Sequence, residues 1–245
     1  KVFNKLPDVK CNRLLLFDID CTLLNTGGAG MAAFHSAAEE LYSDQISKKG
    51  VLKLDMAGST DSGLIMEIFN SLDIEDSSFE RKKFFDLYLS KLSTNLSNSK
   101  FNGRLLPGVL NTLKKFTEPN DNYEVFIGLL TGNIEEGARI KIEHYGIEKY
   151  FMFGAFGCDH FDRNKLGPIA LERARQNHGL QFDSQETFVI GDTPKDINCA
   201  KAFGARSLAV ATGSFSYDQL MGYDPDYLLD DLSDWEKVSN FLLTD

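Results

Sequence analysis

Several common protein classes are excluded by what this chain lacks. Its four cysteines, Cys11, Cys21, Cys158 and Cys199, form no CxxC pair. In a chain of 245 residues that scatter reads as reduced, unpaired thiols, not as a disulfide framework or a zinc site. His35, His144, His160 and His178 show neither HxxxH nor HExxH spacing, so the common zinc-hydrolase signature is missing. No run approaches the roughly 20 apolar residues a membrane helix needs, and no membrane partner is expected. The N-terminus has no basic-then-apolar signal pattern, which makes a cytoplasmic location the default expectation. No run of Lys or Arg is long enough to make a basic face. With 36 acidic residues against 26 basic, the net charge is −10, whereas nucleic-acid-binding proteins usually present a basic face. Nucleic acid is therefore not an expected partner. A small anion still is, because a bound cation inverts the local field.

What is present is ordinary for a globular protein: 42% hydrophobic and 25% charged residues, in a chain long enough to bury a core without staples. Four short apolar runs stand out. Residues 13–17 (RLLLF) end at Asp18, and 124–130 (EVFIGLL) end at Thr131. Residues 187–190 (TFVI) lead to Gly191-Asp192, and 206–210 (RSLAV) lead to Ala211-Thr212-Gly213. Runs apolar almost throughout suit strands covered on both faces, as in parallel sheets. Helical patterns lie between them: 107–118, opened by Pro107; 134–145, capped by Asn133 and stopped at Gly146; 165–178; and 194–203, ended by Gly204. The alternation predicts an α/β fold with a doubly wound parallel sheet. Residues 27–103 differ, being helical in pattern and free of β-rich runs. They are expected to form a small helical domain inserted into an α/β core made of residues 1–26 and 104–245, with Phe69, Phe79, Phe84, Phe85 and Tyr88 as contacts between its helices.

Three predicted strand ends carry reactive side chains, and ligands of open α/β sheets bind beyond the carboxyl ends of the strands. In FDIDCT (residues 17–22) Asp18 and Asp20 are two apart and can share a face at the end of a strand. Paired carboxylates repel and call for a cation or a shared proton, a need that Mg²⁺ meets with oxygen ligands. In LLTGN (residues 129–133) Thr131 offers a hydroxyl, Gly132 allows close backbone approach to an anion, and Asn133 starts a helix whose N-terminus favours negative charge. In VIGDTPKD (residues 189–196) Asp192 and Asp196, with Pro194 at the helix start, can face the same crevice. Each segment alone is explicable as a turn or a helix cap. Four carboxylates, a hydroxyl and a helix N-terminus at one sheet edge are not.

The set resembles the haloacid dehalogenase-like phosphohydrolases, closest to their phosphoglycolate-phosphatase-like branch, over nearly the whole chain. DIDCT fits the DxDxT motif, Thr131 the second motif and GDTPKD the GDxxxD motif, in order and about 60 to 110 residues apart. The resemblance implies a Rossmann-like core and a helical cap between the first two motifs. It implies Asp18 as nucleophile, forming an aspartyl-phosphate, and Asp20 as general acid and then base. It implies Mg²⁺ held by Asp18, Asp192 and the Asp20 carbonyl, with Asp196 as a further ligand or one step behind the ligands, and phosphate held by Thr131, Gly132 and Asn133. Thr60-Asp61, after Gly58, resembles the substrate loop of such caps and equally fits a helix N-cap with a first-turn acid. The family's third motif, a Lys, is missing as such; DHFDRNKLGPIALERAR offers Arg163 or Lys165 in its place. The implied substrate is a small phosphorylated metabolite, handled by a monomer or homodimer. A sugar-phosphate mutase of the same fold competes with the phosphatase reading. A phosphoaspartate receiver does not, being about half this length and lacking the cap and the DxD spacing.

Overall fold

The structure, a computed structural model, describes residues 11–50 and 54–244; the part of the core expected from residues 1–10 lies outside them. Strand β1 (Cys11–Phe17) is the centre of the sheet. After it come β2 (Leu24–Asn25), helices α1 (Ala29–Lys49), α2 (Asp61–Leu72) and α3 (Ser78–Leu96), and β3 (Arg104–Leu105). Then α4 (Val109–Thr117), β4 (Tyr123–Leu130), α5 (Glu135–His144), β5 (Gly154–Ala155) and α6 (Leu166–His178) alternate. The chain finishes with β6 (Thr187–Gly191), α7 (Pro194–Phe203), β7 (Arg206–Val210), α8 (Tyr217–Met221), β8 (Tyr227–Leu229) and α9 (Trp235–Leu243).

The main sheet has the order β5-β4-β1-β6-β7-β8, and every neighbouring pair is parallel. The unbroken apolar run of β1 has the expected consequence. Successive side chains point to opposite faces, so Leu15 and Phe17 pack with Val109, Leu113 and Phe116 of α4 and Val238 and Leu242 of α9. Leu14 and Leu16 pack on the other face with Leu166 and Ala170 of α6 and Cys199 and Ala200 of α7. Helices cover both faces, and the predicted doubly wound α/β fold is the observed one.

The three helices α1–α3 leave and re-enter through a short antiparallel stem in which Leu24 pairs with Leu105 and Asn25 with Arg104. They close around a second hydrophobic cluster, which also takes in Ile134 at the start of α5. The Phe34 ring meets Phe84 and Tyr88 edge-on at 4.8 and 5.3 Å, and Tyr42 and Phe69 complete the cluster. Of the aromatics expected in this core, Phe79 is the exception at 72% exposed: it sits in the first turn of α3, past the N-cap Ser77, where the helix projects into solvent. Two helix starts also differ from expectation. Pro107 precedes the N-cap of α4, which is Gly108 at φ 79°, pressed against the backbone of Leu232 with no room for a Cβ. Asn133 does not cap α5; Ile134 occupies that position, and the Asn133 amide is used elsewhere. Among the described residues no helix is long and apolar enough to cross a membrane.

Candidate active site

Because β1 lies between β4 and β6, the residues that follow these three strands meet at one edge. Asp18 extends the ladder by donating its N–H to Ile190 O at 2.9 Å. Asp192 follows β6 directly, and Asp196 lies in the first turn of α7. Carboxylate oxygens of Asp18, Asp192 and Asp196 all lie within 4.8 Å of one another, and all three residues are buried. Asp196 has two tasks. Its Oδ2 accepts from the Thr193 N–H (3.0 Å) and hydroxyl (2.7 Å) in a capping box, while its Oδ1 accepts from Arg163. Asp192 accepts from the Thr22 hydroxyl at 3.2 Å. Gly213 closes over it so tightly that a Cβ there would overlap its carboxylate.

Arg163 is 6% exposed and inserts between Asp18 and Asp196, with Nη2 3.2 Å from Asp18 Oδ1. It also donates to Gly58 O (3.2 Å) and Leu130 O (3.4 Å). Lys165, two residues on, is exposed and does not border the cavity. Of the two basic residues offered by the sequence, the structure brings only Arg163 to Asp18.

The cluster is short of positive charge. Burial raises the Asp18 carboxyl to about 6; Arg163 opposes the rise, and Asp196 and Asp20 add to it. Burial, then Asp196 and Asp18, raise Asp192 to about 8. Burial works against the charge of Arg163, yet Asp196 and Asp18 hold it above its ordinary range. Three buried carboxylates around one guanidinium, offering only oxygen donors, fit a hard divalent cation such as Mg²⁺.

Asp20 lies on the cavity wall, and its partner belongs to none of the sequence motifs. Lys141 of α5, 3% exposed, donates to Asp20 Oδ1 (2.8 Å), Asp20 Oδ2 (2.6 Å) and Asn133 Oδ1 (2.6 Å). The Asn133 amide donates to Asp20 Oδ2 and to Thr131 Oγ1, both at 2.8 Å. Asn133 therefore organises the acid instead of capping α5. Thr131 is fully buried behind it and does not border the cavity, whereas Gly132 and Asn133 do. A signal for Lys141 was present in the sequence: Ile134, Gly137, Ala138, Lys141 and Ile142 recur at the i, i+3, i+4, i+7, i+8 spacing of a buried helix stripe, and a lysine on such a stripe needs a partner.

The loop leading into α2 lies over this edge. Asp61 donates its N–H to Gly132 O (2.7 Å), and its Oδ2 accepts from Ile134 N–H (2.9 Å). Lys195 donates to Ser59 Oγ (2.7 Å) and Asp55 Oδ2 (3.0 Å). A Cβ on Gly132 would overlap the Ser59 carbonyl, so only glycine permits this approach. Thr60 caps α2 by accepting from Gly63 N–H (3.0 Å) and donates to Phe161 O (2.6 Å); it lies off the cavity wall, whereas Asp61 is on it. The loop, the first turn of α1 and the strand ends enclose a cavity of about 570 Å³.

Asp61 supplies a test of this packing. Burial raises its carboxyl to about 6 from 3.8; Lys141 and the Ile134 N–H oppose the rise, and Asp20 adds to it. An acid whose pKa rises on folding binds more protons folded than unfolded, so stability falls as pH climbs from about 4 to about 6 and the full cost stands above that. The cost is of the order of 3 kcal/mol. Asp61→Asn keeps an acceptor for Ile134 and removes the charge. It is expected to raise stability by about 1–3 kcal/mol at pH 7–8 and to give no gain near pH 4, measured by chemical denaturation. Equal effects at both pH values would refute the buried charge.

The model of the haloacid dehalogenase-like hydrolase family matches residues 15–210, a span that contains all three strand ends. The chain is 27% identical over 233 residues to a phosphoglycolate phosphatase of Vibrio parahaemolyticus serotype O3:K6, covering 92% of this chain and 95% of that one. It is 25% identical over 223 residues to pyrophosphatase PpaX of Halalkalibacterium halodurans, covering 90% and 93%. Its fold matches the crystal structure of a protein described as a predicted phosphoglycolate phosphatase from Haemophilus somnus 129PT with a TM-score of 0.63 at 19% identity, over 94% of this chain and 99% of that one. A family match that runs from β1 to β7, on a fold and a cluster of acids that agree with it, makes this chain a member of the haloacid dehalogenase-like hydrolases.

Proposed function

We propose that the chain is a Mg²⁺-dependent phosphatase that releases phosphate from small phosphate monoesters, with Asp18 as nucleophile. The observation that carries this reading is the pairing of Asp18, beside Arg163 and the Asp192–Asp196 cluster, with Asp20 on the same cavity wall. Relatives named for phosphoglycolate and pyrophosphate hydrolysis support phosphate chemistry and differ in the group released.

Asp18 attacks phosphorus and forms an aspartyl-phosphate, which divides one difficult displacement into two. Asp20 gives its proton to the departing alcohol oxygen, then takes one from the water that cleaves the acyl phosphate. Arg163 balances the charge on Asp18 and the phosphoryl group, and its two-pronged guanidinium also fixes Asp196. Lys141 and Asn133 hold the Asp20 carboxylate in place. Gly132 and Asn133 border the space for the phosphoryl oxygens, and Thr131 supports Asn133 from behind. Asp18, Asp192 and the Asp20 carbonyl would hold Mg²⁺, with Asp196 as a further ligand or one step behind them, and the ion would offset the clash between phosphate and nucleophile. Helices α1–α3 and the Asp55–Asp61 loop act as a cap that excludes water during the reaction.

Phosphate release from a panel of small esters tests the reading. Release is expected to require Mg²⁺, to cease in EDTA and to return when Mg²⁺ is restored. Full activity in EDTA would remove the metal from the scheme.

A further inference from the structure

Among the described residues, the cavity wall beyond the reacting carboxylates contains no uncommitted cation. Four carboxylates border the cavity, those of Asp18, Asp20, Asp61 and Asp192, against two cations, Arg163 and Lys141. Lys141 has three N–H donors, and all three are taken, two by Asp20 and one by Asn133. Arg163 gives its Nη groups to Asp18, Asp196, Gly58 O and Leu130 O. Its Nε has no partner but is sealed inside the protein, so it offers nothing to the cavity. Lys195 is held by the Asp55–Asp61 loop and does not border the cavity.

The rest of the wall combines neutral polar side chains, those of Asn25, Thr26, Ser59, Thr193 and Ser214, with an apolar patch and one phenol. Met31 and Leu64 approach from α1 and α2, Met56 from the loop, and Tyr88 from α3. Tyr88 is 2% exposed, and its hydroxyl has no hydrogen-bond partner among the described residues. Burial and the nearby Asp61 and Asp20 carboxylates keep the phenol protonated, well above its ordinary range. The hydroxyl is not sealed off like Arg163 Nε; it borders the cavity and can donate to an acceptor placed there. The volume of about 570 Å³ lies within the roughly 300–1,000 Å³ of small-molecule sites, and a two-carbon acid would leave most of it empty.

Resting on the phosphatase reading, we propose that the group released is an uncharged, sugar-sized alcohol with an apolar face and an oxygen that accepts from Tyr88, not a carboxylate or a second phosphate. A second anion would face Asp20 and Asp61 with no free cation among the described residues to pair it, only neutral hydroxyls and an amide, and would lie against methionine and leucine side chains. A neutral polyol places its carbon face on Met31, Met56 and Leu64. In the reaction the ester P–O bond breaks, the alkoxide oxygen takes the Asp20 proton, and water returns the phosphoryl group as inorganic phosphate.

The experiment measures kcat/KM of the full chain in Mg²⁺ on matched pairs that differ in one charge: 2-hydroxyethyl phosphate against 2-phosphoglycolate, and glycerol 3-phosphate against 3-phosphoglycerate. The neutral member is expected to win each pair by about tenfold or more, since a site discriminates by leaving the wrong ligand's charge unpaired. Equal or better turnover of the acidic members would overturn the proposal. Calorimetric binding of the same pairs to Asp18→Asn separates this question from catalysis. If wild type turns over none of the esters while the variant still prefers the neutral ones, the phosphatase reading fails and the selection against charge stands. If the variant binds the acidic members as tightly or more tightly, the selection fails whatever the turnover.

Discussion

Asp18→Asn is expected to lower Mg²⁺-dependent phosphate release by about 10⁴-fold or more in kcat, the scale on which loss of a nucleophile acts, and to leave the fold intact. The amide has nearly the shape of the carboxylate, so β1 and its packing are unaffected, but it lacks the anionic oxygen that must bond to phosphorus. The charges of the site support the second half of the expectation. Asp18 is one of three buried carboxylates gathered around a single guanidinium, and Arg163 retains Asp196 when Asp18 loses its charge. Without metal, the variant therefore melts no lower than wild type, and relief of repulsion between the remaining acids can raise the transition. Steady-state kinetics with thermal melts on the same preparations measure both halves. Retention of more than about 1% of wild-type kcat, against the far larger loss expected of a nucleophile, would sink the assignment. A collapse in melting temperature would mean that Asp18 is structural.

Asp18 was legible because strand, turn and chemistry are written together there. An apolar run too continuous for a half-exposed strand ends at an acid, and the same grammar recurs before Thr131 and Asp192. The short edge strands were not legible. Gly154–Ala155 and Tyr227–Leu229 are too brief to carry a period, and they form by pairing with β4 and β7 already in place. The choice between Arg163 and Lys165 was closed to spacing as well. They lie two apart in one 3₁₀ turn, and only the packing of that turn against α7, where Cys199 Sγ donates to Arg163 O at 3.2 Å, sends one inward and the other to solvent.

Asn133 and Thr60 show a subtler limit. Both are good capping residues placed before helices, and local sequence does not distinguish them. Thr60 caps, because its neighbours across the loop are a backbone carbonyl and its own α2 N–H group. Asn133 does not, because Asp20, Thr131 and Lys141, brought in by β1, β4 and α5, offer its amide a full set of partners. Tertiary partners decided what propensity left open.

Lys141→Met tests the most consequential residue that the motifs do not contain. Methionine fits a helix stripe shared with Ile134, Ala138 and Ile142, and the ion pair it removes is with an Asp20 side chain that is 41% exposed. Asp20 stays hydrated, so the stability cost falls mainly on the buried Asn133 Oδ1 left without its donor, about 1–3 kcal/mol. The position of Asp20 is at stake, because Asn133 alone would then hold it. A misplaced general acid penalises only those substrates that need their leaving group protonated, by about 10²-fold or more. Glycerol 3-phosphate, which releases a poor alkoxide, is expected to lose about that much kcat. p-Nitrophenyl phosphate, whose phenolate departs unprotonated, is expected to lose only a few-fold. KM for both should change far less than kcat for the alkyl ester, because Lys141 has no donor left with which to bind substrate. A general loosening of the site would slow both substrates alike, and that result would reduce Lys141 to a structural cation. Unequal losses that grow with the leaving-group pKa would assign it the positioning of the acid.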